Sequence, residues 1–297
     1  MTPSPRNATF AMLEAHSRPA VVPKAPLPYM PPQTIRHMTI FRYILLALVA
    51  LCLAAAAWFG YSRWQDQEAF RDVIRTAIIS EPGTGPFVEE LNEWVYRKEG
   101  FAQCQARYVL PPLGPTPMQI FREGGDCSDK SRLLSAMLDS VDMDSTLVML
   151  QPCQDCASTH TVVNAYADDG DVIVADPVYD IVFPDPQGGY YGVAEIRDQP
   201  DVLAERLALL KRLRGPYDKI QKHSRDEMKY GFPKTINWDR DPVFRTAGSL
   251  VASFTDEPYL VQRPRIMEDP KLFLTIMSLA LAAFFALVLF FVRRRDA

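Results

Sequence analysis

The chain has 297 residues, 48% of them apolar, and its 32 basic and 36 acidic side chains leave a formal net charge of −4. That length permits one or two domains, and the apolar content is ample for a core. The acidic balance argues against nucleic acid as a partner.

From the N-terminus, residues 1–37 carry Pro3, Pro5, Pro19, Pro23, Pro26, Pro28, Pro31 and Pro32 with little apolar periodicity, the pattern of a disordered segment. An almost purely apolar run follows from Ile44 to Phe59, bounded by Arg42 and Arg63. With its flanks, residues 38–61, it is long enough to cross a bilayer as a helix. Met38 to Arg42 followed by this run also fits a start site and a signal sequence, with Ala54 to Ala57 supplying small residues for cleavage. A second apolar run, Leu272 to Val292, is followed by Arg293, Arg294 and Arg295. Two spans, residues 38–61 and 271–292, therefore bracket a middle domain of residues 62–270, with a basic tail at 293–297.

Charge sets the expected orientation. Five of the 32 basic residues and one of the 36 acidic ones lie at or before Arg42, while three and one follow Val292. The region between keeps 24 basic and 34 acidic residues, a net of −10. Positive flanks are retained in the cytoplasm, so both termini are expected inside and the middle domain outside. In a bacterium the chain would sit in the inner membrane, with its main domain periplasmic or extracellular.

Within the middle domain, Trp64, Phe70, Val73, Ile74, Ala77 and Ile78 suggest a helix leading away from the membrane. A turn at Pro82–Gly85 precedes a second helix, which Pro86 opens and whose face is Phe87, Val88, Leu91, Trp94 and Val95. Four prolines between Tyr108 and Met118 mark a loop. Gly124-Gly125-Asp126-Cys127-Ser128-Asp129-Lys130 then enters an amphipathic helix. Leu133, Leu134, Met137, Leu138 and Val141 form its apolar face, and Asp129, Lys130, Arg132, Ser135 and Asp139 its polar one. The glycines permit a sharp entry, and Asp126 or Ser128 can cap the helix. A thiol in that first turn faces the positive end of the helix dipole and unpaired N–H groups, which stabilise an attacking sulfur anion and an oxyanion alike.

A nucleophilic Cys needs a base and an acceptor that orients it. Of the four histidines, only His160 is well placed; His16 and His37 precede the first span, and His223 lies in a charged stretch. His160 opens a β-branched strand that runs to Tyr166, and Val172–Asp176 returns as a second strand after Thr146–Leu150. With Asp168–Gly170 as a three-residue loop, Val162 opposes Asp176, and His160 becomes a same-face diagonal neighbour of Asp176, roughly 6–8 Å away between backbones. A two-residue Asp169–Gly170 turn would put them on opposite faces. Asp176 before Pro177 also fits a simple turn-initiating residue.

Just upstream of His160, Cys153 and Cys156 form a C-x-x-C. A local disulfide bracing the loop, a redox-active dithiol and a zinc half-site are all compatible with that spacing. Cys104 is left over by this count, either buried or a partner for Cys127. Farther on, Asp201–Arg214 reads as an amphipathic helix with Val202, Leu203, Leu207, Leu210 and Leu213 inward. Lys211, Arg212, Arg214, Lys219 and Lys222 read as a solvated basic face.

Gly125-Asp126-Cys127 opening a helix, then His160 on a strand, then Asp176-Pro177 on the next strand, resembles the transglutaminase-like cysteine enzymes over about Phe87 to Phe183. The residues after His160, Thr161 and Val162, depart from the aromatic many relatives carry there. The resemblance implies an α+β, papain-like core in which a Cys-bearing helix packs on an antiparallel sheet bearing His and Asp, here between two transmembrane helices. It further implies Cys127 as nucleophile, His160 as general base and Asp176 as the group that orients the imidazole. Gln105, Gln119 and Tyr108 are candidate oxyanion donors.

The expected function is a membrane-anchored thiol enzyme that acts on amide or ester bonds of a protein or peptide substrate in the cell envelope, with hydrolysis as the default outcome. No cofactor or metal is implied. The competing expectation is a catalytically silent module holding a partner in envelope or exopolysaccharide assembly. A thiol oxidoreductase built on Cys153 is a third.

Overall fold

The computed structural model describes residues 32–98, 103–153, 156–223, 230–240 and 242–294. The segment expected to be disordered lies outside these residues as far as residue 31, and so do residues 295–297 of the basic tail. Two units divide the chain after Ile44, and apart from the opening turns of the first helix everything described below lies within Leu45–Ala297.

Helix α1 (Pro32–Ala77) runs unbroken for 46 residues. The first apolar run and the amphipathic stretch behind it are thus one rod, because nothing between Tyr61 and Ala77 interrupts the backbone ladder. Helix α8 (Pro270–Arg294) has 25 residues, about 37 Å at 1.5 Å per residue. Both helices are long and apolar enough to cross a membrane. They approach closely at Gly60, where a Cβ would come within 3.7 Å of Thr275.

Where the apolar runs end, partly buried ion pairs join both helices to the middle domain. Arg63 donates to Asp269 at 2.7 Å and to Asp139 at 2.5 Å. The Lys271 ammonium reaches Asp66 at 2.5 Å and the Ser62 carbonyl at 3.2 Å. Arg265 pairs with Asp139, and Arg132 with Glu268. Such pairs contribute modest net stability but hold one packing register against alternatives.

The middle domain is α+β. Helices α2 (Gly85–Arg97), α3 (Pro117–Glu123) and α4 (Cys127–Ser140) precede strands β1 (Ser145–Leu150), β2 (His160–Tyr166), β3 (Val172–Asp176) and β4 (Ile181–Val182). The strands form an antiparallel meander in the order β1-β2-β3-β4. Helices α5 (Val193–Asp198), α6 (Pro200–Leu213) and α7 (Pro242–Val251) follow.

Alternation along the strands makes the sheet two-faced. Val163, Ala165, Ile173 and Ala175 pack with Phe70 of α1, Phe87 and Leu91 of α2, and Leu134 and Met137 of α4. Val148, Val162 and Val174 face the other way, onto Ile196 of α5 and Leu203, Leu207 and Leu210 of α6. Burial on both faces explains why apolar residues occupy both sides of these strands, as at Leu147–Val148, Val162–Val163 and Ile173–Val174.

The turn chemistry is as expected in most places. Thr84 caps α2, and Asp126 caps α4 in a reciprocal box with Asp129. Gly124 sits at φ 81°, a backbone region costly for other residues. At Gly125 the constraint is space, since a Cβ would lie 2.2 Å from that of Asp129.

Four expectations need correction. Lys130, expected on the solvent face of α4, is 2% exposed. Its ammonium caps the C-terminal end of α2, donating to the carbonyls of Val95, Tyr96 and Lys98, so orphan carbonyls draw the charge inward. Leu213, expected inward, is 71% exposed because α6 has reached its end there. The segment read as loop to Met118 becomes helical at Pro117, with Thr116 and Gln119 forming a capping box. Within the basic set, Arg214 binds Asp180 at 2.7 Å instead of standing free in solvent.

Gly125→Ala is expected to lower stability by about 1–3 kcal/mol, the usual cost of overpacking a tight site. Thermal unfolding of the full chain in detergent should show a midpoint several degrees lower. Gly231→Ala, where a Cβ meets nothing within 4 Å, should leave the midpoint unchanged.

Candidate functional site

The β2–β3 hairpin has the three-residue register. Val163 pairs with Ala175 and Tyr166 with Val172, and Ala167 N–H donates to the Asp171 carbonyl at 2.9 Å. Gly170, at φ 94°, supplies the left-handed residue that such a loop requires. Continuing the register sets Val162 opposite Asp176 and leaves His160 on the same face as Asp176.

The side chains meet. His160 Nε2 lies 2.7 Å from Asp176 Oδ2, with His160 3% and Asp176 0% exposed. The other carboxylate oxygen, Oδ1, accepts from the N–H groups of Val178 at 2.9 Å and Tyr179 at 3.3 Å. Asp176 therefore serves both roles its sequence position allows. One oxygen turns the chain after the strand, and the other orients the imidazole.

Cys127 completes the group. It is a free, half-buried thiol in the first turn of α4, and it acts on the His160 imidazole in the same sense as Asp176 but more weakly, favouring the charged ring. With Nε2 committed to Asp176, the ring atom left for the thiol is Nδ1. Ser131, one turn farther along α4, donates to the Thr161 carbonyl at 2.9 Å and is fully buried. That bond pins the thiol-bearing helix to the residue next to His160. Asp129 adds a brace, since its Oδ2 accepts from Cys104 N–H at 2.9 Å.

Burial alone would push the His160 imidazole toward its neutral form. The Asp176 charge and hydrogen bond, with a smaller contribution from Cys127, outweigh it and raise the group to about 10. Asp176 shows the converse: burial opposes its charge, but His160 and the Val178 N–H hold its carboxyl below the usual range. An imidazolium paired with a buried carboxylate and under the influence of a neighbouring thiol is suited to exchanging a proton with sulfur.

Two aromatic residues that sequence reasoning passed over wall the pair. The Tyr179 ring lies 5.7 Å from His160, and the His223 ring 4.8 Å from Tyr179 in an edge contact. His223, set aside for its charged neighbours, is 4% exposed, and burial pushes it down to about 4. Nothing local in the sequence announces this placement, which depends on the chain returning past α6 to the sheet.

The candidate oxyanion side chains have other partners. Gln119 Oε1 accepts from Thr116 N–H in its capping box, Gln105 Nε2 donates to the Gln103 carbonyl, and Tyr108 packs against Phe59. Cys127 opens α4, so unpaired N–H groups of that first turn flank the thiol. Cys153 and Cys156 are disulfide-bonded, which leaves neither sulfur as a zinc ligand or free dithiol in this state, and Cys104 is buried and unpaired with Cys127. No family model, curated protein or solved structure matches the chain.

The folded protein keeps a proton on His160 that an unfolded chain releases above about pH 6.5. The stabilisation from this pair is thus complete below pH 6.5 and declines as pH rises toward 10. Asp176→Ala, which strands a buried imidazole, should cost about 3–5 kcal/mol near pH 6. The gap from wild type should narrow by pH 9.5, as read by thermal unfolding in detergent. A gap that widens with pH would contradict the assigned charge state.

Proposed function

We propose that the protein is a membrane-anchored thiol enzyme of transglutaminase-like type, with a papain-like catalytic arrangement, acting on amide or ester bonds of protein or peptide substrates in the cell envelope. The observation that carries this reading is the buried His160–Asp176 pair, 2.7 Å apart, whose imidazole also feels the Cys127 thiol. In the reactive form the Cys127 proton already rests on His160, and the sulfur attacks the substrate carbonyl carbon. N–H groups of the first turn of α4 hold the oxyanion, and His160 returns the proton to the departing amine or alcohol. Water, deprotonated by the same imidazole, then releases the acyl group and regenerates the thiol. The charge asymmetry of the flanks supports an orientation with both termini inside and the middle domain outside, in the inner membrane of a bacterium.

Peptide-resolved iodoacetamide labelling of the full chain in detergent tests this reading. Cys127 should react at pH 6 at least about tenfold faster than in the His160→Ala variant, because a thiol without its imidazole partner behaves as free cysteine does. Equal rates in both forms, each following the pH profile of a free thiol, would sink the enzyme and leave a non-catalytic envelope-assembly module as the surviving alternative. Loss of function in Cys153→Ser with Cys127→Ser unaffected would instead point to disulfide chemistry.

A further inference from the structure

Helix α7 has three distinct sides. One packs inward: Phe244 lies 6.4 Å from the Trp238 ring, and Gly248 is buried so closely that a Cβ there would come within 2.8 Å of the same residue. Trp238 is itself tied down, donating through Nε1 to the Pro258 carbonyl at 2.8 Å. The segment leading to it is joined to β1 by paired backbone bonds between Met149 and Lys234. A second side, with Arg245 and Ser249, is exposed and polar. The third is apolar and exposed.

Val243, Ala247 and Leu250 fall within about 60° of arc on a helix of 3.6 residues per turn. Phe254, in the turn that closes α7, continues the spacing. Their exposure is large where it counts: Val243 is 76%, Leu250 63% and Phe254 83% exposed. Scattered surface apolar residues need no explanation, but a periodic stripe on a well-anchored helix does.

Its position identifies what covers it. Phe244 lines a cavity of about 510 Å³ together with Ile266, Met267, Pro270 and Phe273. Pro270 begins α8, and Phe273 lies in its first turn. Helix α7 therefore sits beside the point where the apolar run of α8 begins, at the level of the ion pairs of Lys271 and Arg63. If α8 crosses a bilayer, lipid headgroups lie at that level.

We propose that α7 is an interfacial helix, with Val243, Ala247, Leu250 and Phe254 seated in the headgroup–acyl boundary of the membrane that α8 crosses. The occupant of the stripe is phospholipid. Its polar side faces water and its Phe244 side stays on the domain, the three-way division expected of a helix lying in the plane of a membrane. The contact holds the middle domain against the bilayer at a third place besides its two spans. The proposal rests on α8 being a true span, and the test separates the two.

The full chain, with Cys52 and Cys104 changed to Ala and Cys127 to Ser and the Cys153–Cys156 disulfide kept, carries a single free cysteine at position 250, 254, 249 or 281 (Leu250→Cys, Phe254→Cys, Ser249→Cys or Leu281→Cys). Each is labelled with an environment-sensitive fluorophore and reconstituted in phosphatidylcholine–phosphatidylglycerol vesicles, with or without lipid bearing a nitroxide near the glycerol or deep in the chain. Labels at 250 and 254 should lose about half their emission to the shallow nitroxide, given an immersion of about 5–10 Å, while the label at 249 keeps its emission. The label at 281, in α8, should be quenched by the deep nitroxide. Quenching at 281 with none at 250 and 254 would overturn the interfacial helix and leave the span intact, pointing to a protein partner for the stripe. Absence of quenching at 281 would overturn the span and with it the basis of this proposal.

Discussion

The loop Asp168–Gly170 sets which residues of β2 and β3 share a face, and the geometry around His160 inherits that register. Because side chains alternate with a period of two, a turn one residue shorter would carry the imidazole and the carboxylate to opposite sides of the sheet. The loop holds its length through Gly170, whose positive φ closes the turn, and through the Ala167–Asp171 backbone bond. From that one constraint follows a 2.7 Å contact between two almost fully buried side chains.

Burial gives this contact its chemical weight. An isolated imidazolium in such a place would be neutralised by the cost of desolvation, as His223 is a short distance away. His160 escapes that outcome because Asp176 is also buried and already fixed by two backbone N–H groups, so the carboxylate cannot turn away. Of the three residues, the thiol alone retains substantial exposure, and it arrives on a helix pinned beside the ring by Ser131. A rigid buried pair beneath an accessible sulfur is the arrangement on which the proposed chemistry depends.

A second set of buried charges performs a different task. Arg63, Asp139, Asp269, Lys271 and Asp66 join α1, α4 and α8 where the apolar runs give way to the folded domain. Asp139 ends the same helix whose other end carries Cys127, so α4 spans the distance from this cluster to the candidate site. Removing one partner would leave an uncompensated charge among the rest, which is why such clusters specify one arrangement even when their net contribution is small.

Local chemistry was legible in the residues themselves. The Pro82–Gly85 turn and Pro86 announced α2, the Gly-Gly-Asp entry announced α4, and the apolar runs marked both long helices, because caps, turns and hydrophobic length act within a few residues of where they are written. The strands and the Cys-His-Asp order were readable for the same reason. Lys130 misled because its charge suited a solvent face, while the carbonyls that claim it belong to a helix some thirty residues earlier. His223 and Tyr179 were invisible for the same kind of reason. By itself the sequence determined α2, α4, α6, the strands β1 to β3 and the membrane-length runs, though not the short α3, α5 and β4 or the later α7, and which residue types are chemically able to react. Tertiary structure alone decided the turn register, the burial that sets the charge of His160 and His223, and the neighbours that make Cys127 more than a solitary thiol, since each depends on contacts between residues far apart in the chain.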